Sequence, residues 1–198
     1  MEIHQMKMPE DATPLSPEDL LGLKPNLKTR AELDEFEQAN ILRAQTWALK
    51  SRKLRKDLLS ATGLYLLHEK MFSDTWTWAG KVRERQTSIG VEPHRIQNDL
   101  GILLGDIKYW VDNQGYSVEE IAIRLHHRLV AIHPFPNGNG RFSRLAADLF
   151  LIYNNHSRFT WNNQNLAVIG PTRKTYIEAL QIADREMDYS RLLEFARS

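Results

Sequence analysis

Cysteine is absent from the 198-residue chain, which excludes disulfides, thiolate metal sites and a cysteine nucleophile, and agrees with a reducing compartment. No run of about 18 apolar residues is present and the chain opens on no signal-peptide pattern, so the expected location is cytoplasmic and no membrane partner is read. Net charge is nearly absent: 26 basic residues against 25 acidic ones leave +1, too little for the broad field that captures nucleic acid, and no direct nucleic-acid binding is expected. There is no internal repeat, which excludes solenoids. What remains is an ordinary globular composition, 42% apolar and 26% charged, sufficient for one domain with a small arm.

Prolines are concentrated early. Pro9, Pro14, Pro17 and Pro25 lie among polar residues over 1–28, which reads as an extended arm. At Thr29 the character changes: Thr29 with Glu32 forms a capping-box signal, and Leu33, Phe36, Ile41, Ala44, Trp47 and Ala48 mark one apolar helix side to about Leu49. Residues 54–72 repeat that pattern, as do 97–111, and helical segments are expected again over 171–183 and 188–196. The stretch 76–96 breaks helical period, carries Gly80, Gly90 and Pro93, and predicts a hairpin or loop. His126 and His127, adjacent on a predicted helix, point about 100° apart and cannot form a same-face ligand pair, so a structural role is expected.

The stretch 133–144, HPFPNGNGRFSR, stands between two helical patterns. Upstream, Ser117 and Glu120 signal a helix start, and Pro134 predicts that this helix ends near His133 with His133 pushed toward extended angles. Gly138, Asn139 and Gly140 open the next helix, where exposed N–H groups make an anion cradle. Arg141 and Arg144, three apart, share one side of that first turn, where the macrodipole disfavours positive charge. Alone, such a pair reads as surface arginines bridged to carboxylates. Beside the glycine turn and the histidine, it predicts a polyphosphate site with His133 as a general base for an incoming hydroxyl.

These residues carry a resemblance: the stretch is similar to the Fic-domain signature H-x-F-x-(D/E)-G-N-G-R-x-x-R at every fixed position but one. The resemblance implies a protein adenylyltransferase, an enzyme that moves AMP from ATP to a Ser, Thr or Tyr hydroxyl of a target protein. Carried over by position, His133 is the base, Phe135 anchors the loop, and Gly138, Asn139 and Gly140 form the anion hole. Arg141 is then assigned to the β-phosphate side and Arg144 to the γ-phosphate. Asn137 is the departure. It replaces the acidic Mg²⁺ ligand with a neutral amide oxygen, and a Mg²⁺ site ordinarily uses carboxylates with the substrate phosphates.

Residues 78–83, WAGKVR, resemble the family's W-A-G-K-x-R segment, and 85–93 its flap, a β-hairpin that holds the target by backbone pairing. Many Fic proteins also carry an inhibitory helix with (S/T)-x-x-x-E-(G/N). The favoured candidate is Glu37, with Leu33 and Gln38 at the variant positions, expected to pair with Arg144; Ser190 with Glu194 is the other partial match. The implied architecture is an all-α bundle with one small β-hairpin flap: an arm at 1–28, a helix at 29–53, and the Fic domain at 54–198. HPFPNGNGR looks closest to the branch called mobile mystery protein B, whose resemblance implies a bacterial protein with a helix-turn-helix partner. Two alternatives stand beside AMP transfer: a catalytically silent or self-inhibited nucleotide-binding module of toxin–antitoxin type, and another phosphate-group transferase on the same fold.

Overall fold

The computed structural model describes residues 17–163 and 170–198. Of the arm, residues 1–16 lie outside the described residues; the rest begins with a short helix, α1 (Pro17–Leu20). It then lies along the segment after residue 72, with Lys24 N–H donating to the Thr75 carbonyl at 2.8 Å and Thr77 N–H to that of Gly22 at 2.9 Å.

The periodicities become helices with few changes. α2 (Arg30–Lys50) starts in a complete capping box: Thr29 Oγ1 accepts from Glu32 N–H, and the Glu32 carboxylate accepts from Thr29 N–H. The stretch expected as one helix over 54–72 is two, α3 (Arg52–Asp57) and α4 (Ala61–Phe72). Ser60 causes the break, because its backbone is extended and its hydroxyl accepts from Gly63 N–H at 3.0 Å, an N-cap that restarts the helix. α5 (Ile96–Asp112), α6 (Val118–Ile132), α7 (Asn139–Tyr153), α8 (Pro171–Glu186) and α9 (Ser190–Arg197) follow. None of the described helices is long and apolar enough to cross a membrane.

α6 and α7 pack together as a central antiparallel pair, with α2 and α4 against α7 and α5 against α6. One core runs through them, from Leu33 and Ala44 on α2 to Leu192 and Phe195 on α9, so α2 is part of the packed body. His126 and His127 are buried as structural groups: His126 Nε2 meets the Tyr176 hydroxyl at 3.0 Å and His127 Nε2 the Asp184 carboxylate at 2.8 Å, tying α6 to α8.

The hairpin expected at 85–93 is a loop without strand pairing of its own. The chain on either side of it bonds instead to the end of α6 and the turn that follows: Arg83 N–H donates to the Pro134 carbonyl at 2.9 Å and Val91 N–H to that of Ile132 at 3.4 Å. Among the described residues the only β-bridge joins Leu23 to Trp76.

Candidate active site

The turn between α6 and α7 gathers the expected residues, and its backbone differs from expectation at the first of them. His133 ends α6 in the left-handed region, with φ 54° and ψ 60°, not in the extended conformation that Pro134 favours. An αL residue reverses the chain at a helix C-terminus, and His133 N–H still donates to the Leu129 carbonyl at 3.1 Å. The ring is buried, and Nδ1 lies 3.3 Å from the Val130 carbonyl, so Nδ1 carries the proton and Nε2 the lone pair of the neutral ring. Burial, reinforced by the Arg83 charge, lowers its pKa to about 4 despite the Val130 bond. At neutral pH the imidazole is uncharged.

Phe135 is fully buried and fastens the turn to α4. Its ring stacks on His68 with centroids 3.7 Å apart and meets Phe142 edge-on at 5.0 Å. Asn139 clamps the same residue: its Oδ1 accepts from Phe135 N–H at 3.0 Å and its amide nitrogen donates to the Phe135 carbonyl at 2.8 Å. The Asn139 side chain is thereby committed to the loop, leaving its backbone N–H at the open end of α7.

Gly138 caps α7 with φ 79°, and a Cβ there would lie 2.6 Å from the Phe72 ring. Gly140 is less confined, since a Cβ would meet only Arg144 Nη1, at 3.8 Å. Neither glycine covers the helix start with a side chain of its own, and the positive dipole end of α7 faces the turn. Asn137 turns its side-chain oxygen onto Gly138 N–H at 2.6 Å. Among the described residues no three His, Cys, Asp or Glu side chains converge on a point. Mg²⁺ ordinarily takes one or two carboxylates with the substrate phosphates, whereas Asn137 offers a neutral oxygen that is already bonded to Gly138 N–H.

The arginines part company. Arg141 Nη1 donates to Glu37 Oε2 at 2.7 Å, and Trp76 Nε1 donates to Glu37 Oε1 at 2.6 Å. Glu37 thus reaches the motif from α2, buried, but on the first arginine and not on Arg144. Arg144 lies instead beside α8, half-buried with its guanidinium 5.8 Å from the centre of the Tyr176 ring. Glu194, in the other partial match, is exposed on α9. Beside the arginines opens a cavity of about 420 Å³ whose wall includes Gln45, Arg141, Arg144, Asp148, Arg158 and Trp161. Asp148 accepts from Phe159 N–H at 3.2 Å and Trp161 Nε1–H at 3.0 Å, and burial raises its pKa to about 7 against those bonds.

Four residues at this site were not legible as such. His68 is buried with Nδ1 accepting from Gly80 N–H at 2.9 Å and Nε2 donating to the Asn137 carbonyl at 3.1 Å. Burial lowers its pKa to about 3, so both bonds belong to a neutral ring. Its one sequence signal is a histidine inside the apolar stripe of α4. Trp76 opens the stretch read as hairpin or loop, Asp148 and Tyr176 lie within expected helices, and no pattern marked any of the three.

The Fic/DOC family model matches residues 58–151. The chain is 29% identical over 108 residues to the protein adenylyltransferase Fic of Aedes aegypti, covering 53% of this chain and 20% of that protein. It is 36% identical over 76 residues to that of Drosophila mojavensis, covering 37% and 15%. It thus spans about a fifth of the length of these curated relatives. Among solved structures, the BepC protein of Bartonella tribocorum with bound AMPPNP superposes with a TM-score of 0.68 at 18% identity, over 96% of this chain and 93% of that one. The N-terminal FIC domain of Bep8 from Bartonella sp. 1-1C superposes with a TM-score of 0.67 at 18% identity, over 88% and 87%. The shared architecture is the all-α Fic fold.

Proposed function

We propose, from the premise that residues 58–151 belong to the Fic/DOC family, that this chain is a protein adenylyltransferase held in a self-inhibited resting state. The observation that carries the reading is His133: a neutral, buried imidazole with Nδ1 directed at the Val130 carbonyl, set at the mouth of the open N-terminus of α7. ATP is the donor. The hydroxyl oxygen of a target Ser, Thr or Tyr attacks the α-phosphorus, the bond from that phosphorus to the bridging oxygen of the β-phosphate breaks, and pyrophosphate leaves. The hydroxyl proton passes to His133 Nε2. A pKa near 4 makes this a weak base in the resting protein, and the negative charge of a bound triphosphate raises it toward a more effective value.

The N–H groups of Asn139 and Gly140, joined by that of Gly138 once Asn137 Oδ1 releases it, receive the phosphate oxygens, Arg141 the β-phosphate side and Arg144 the terminal phosphate, which is the positioning and charge neutralisation on which phosphoryl transfer depends. Glu37, on the 29–53 helix, holds Arg141 in a competing ion pair and is the inhibitory residue. No step is assigned to Mg²⁺, which the family resemblance implies: Asn137 supplies no charge for it, and any such ion would arrive on the nucleotide's own phosphates. The protein partners implied are the hydroxyl-bearing target and, from the branch resemblance, a helix-turn-helix protein.

The test is transfer of label from α-labelled ATP to protein by wild type, Glu37→Gly and His133→Ala. Label that rises with Glu37→Gly and is lost by at least ~100-fold with His133→Ala supports both assignments. A second reading, a silent nucleotide-binding module, is favoured by the neutral Asn137 turned onto Gly138 N–H. It predicts nucleotide binding without transfer, and if Asn137→Asp then acquires metal-dependent transfer, the missing carboxylate is the cause of the silence.

A further inference from the structure

Arg83, at the end of the WAGKVR segment, is buried and has no carboxylate among its hydrogen-bond partners. Its guanidinium is occupied by backbone carbonyls. Nε donates to His133 O at 2.6 Å and Nη1 to Arg85 O at 2.8 Å, while Nη2 donates to Val91 O and, at 3.4 Å, to Ile132 O. Two of these acceptors lie on the two limbs of the 85–91 loop, and two are the terminal carbonyls of α6. The last carbonyls of a helix have no partner within it and carry the negative end of its dipole, so the end of α6 supplies the compensating charge that a buried guanidinium requires.

We propose that Arg83 is a positioning residue that locks the 85–91 loop and His133 into one unit. The inference rests on reading His133 as the base and the loop as the target-holding flap. The αL conformation of His133 costs on the order of 1 kcal/mol for a residue with a Cβ, and the bond from Arg83 Nε is one of the contacts that hold it there. Close packing leaves no slack: Gly90 has φ 112°, and a Cβ on it would lie 2.5 Å from His133 Cβ and 2.7 Å from Arg83 Nη2. Only a residue without a side chain lets the loop backbone come this close to the histidine and the arginine together. A planar fork with five donors spans four carbonyls at once. A lysine, a single point charge with three donors, does not.

The test compares wild type, Arg83→Gln and Arg83→Lys, with Arg85→Ala as control, because Arg85 forms an outer ion pair with Asp19 at 2.6 Å. Two readouts are used that need neither ATP nor a target: amide hydrogen exchange at Val91, and the titration of His133 followed by NMR. Arg83→Gln and Arg83→Lys are both expected to speed Val91 exchange by at least ~10-fold while Leu129 on α6 keeps its protection, and to raise the His133 pKa by more than one unit as burial is relieved. Arg85→Ala is expected to change neither. If Arg83→Lys restores both readouts, charge alone suffices and the proposal is overturned. If Val91 and His133 are unmoved in either variant while only the melting temperature drops, Arg83 is a packing residue and the proposal is likewise overturned. Should Arg83→Gln fail to fold, Arg83→Lys decides. Absence of AMP transfer in wild type would count against the adenylyltransferase reading and leave these outcomes standing.

Discussion

Glu37 and Arg141, 104 residues apart in sequence, are joined at 2.7 Å, with the second carboxylate oxygen of Glu37 held by Trp76 at 2.6 Å. The pair occupies the first arginine of the motif and leaves Arg144 beside Tyr176. Arg141 keeps part of its side chain open to the cavity, so the pair competes with a phosphate for its charge without closing off the guanidinium.

Glu37→Gln tests this competition. The amide keeps an acceptor for Trp76 Nε1–H and removes the charge that holds Arg141. ATP affinity, measured by calorimetry, is expected to rise, and transfer with it. The thermal midpoint is expected to fall, because losing one partner of a largely buried pair costs about 3 kcal/mol or somewhat less when the other keeps partial solvent access. An unchanged affinity would mean that Arg141 does not meet the phosphates.

The two glycines of the GNG turn are expected to respond unequally. Gly138→Ala places a Cβ 2.6 Å from the Phe72 ring at a φ of 79°, combining a steric clash with αL strain of about 1 kcal/mol or more. It should lower stability by urea denaturation and weaken nucleotide binding. Gly140→Ala, whose Cβ would meet Arg144 Nη1 at an ordinary contact distance of 3.8 Å, should fold as wild type, so any loss of binding there reads directly on the anion cradle.

His68→Phe keeps a ring to stack on Phe135 and removes both hydrogen bonds. Gly80 N–H and the Asn137 carbonyl are then left without their partner, at about 1–3 kcal/mol for each buried group. Chemical denaturation is expected to show a loss in that range. Nucleotide affinity should drop as well, because the Asn137 carbonyl no longer anchors the turn.

The pH dependence of stability has two opposing sources. Burial lowers His68 to about 3 and His133 to about 4, and holds His126 and His127 below the ordinary histidine value. The unfolded chain therefore binds more protons than the native one below about 6.5, and stability falls as pH drops through that window, by on the order of several kcal/mol in all. Asp148 runs the other way. Its native pKa of about 7 lies above the ordinary 3.8, so its contribution is complete below 3.8 and is lost as pH rises through 7. Urea titrations of wild type and Asp148→Asn should show the variant gaining on wild type between about pH 4 and 7, with a constant difference above.

The helices, their caps and the glycine turn that brings His133 and Arg141 to the junction of α6 and α7 were legible in the sequence, because helical periodicity, caps and turn chemistry act over three or four residues. The Thr29 box, the Ser117 cap and the Gly138 turn all form locally. Decisions between distant segments were not legible. That Glu37 meets Arg141 and not Arg144, that His68 carries the Asn137 carbonyl, and that the 85–91 loop pairs with α6 instead of with itself all follow from how α2, α4 and α8 pack around α7. His133 shows the limit most clearly. Pro134 alone favours an extended residue before it, yet the end of α6, the clamp of Asn139 on Phe135 and the guanidinium of Arg83 together outweigh that local preference and set an αL histidine. Local sterics bias a residue by about 1 kcal/mol, and several tertiary hydrogen bonds in a water-poor turn exceed that.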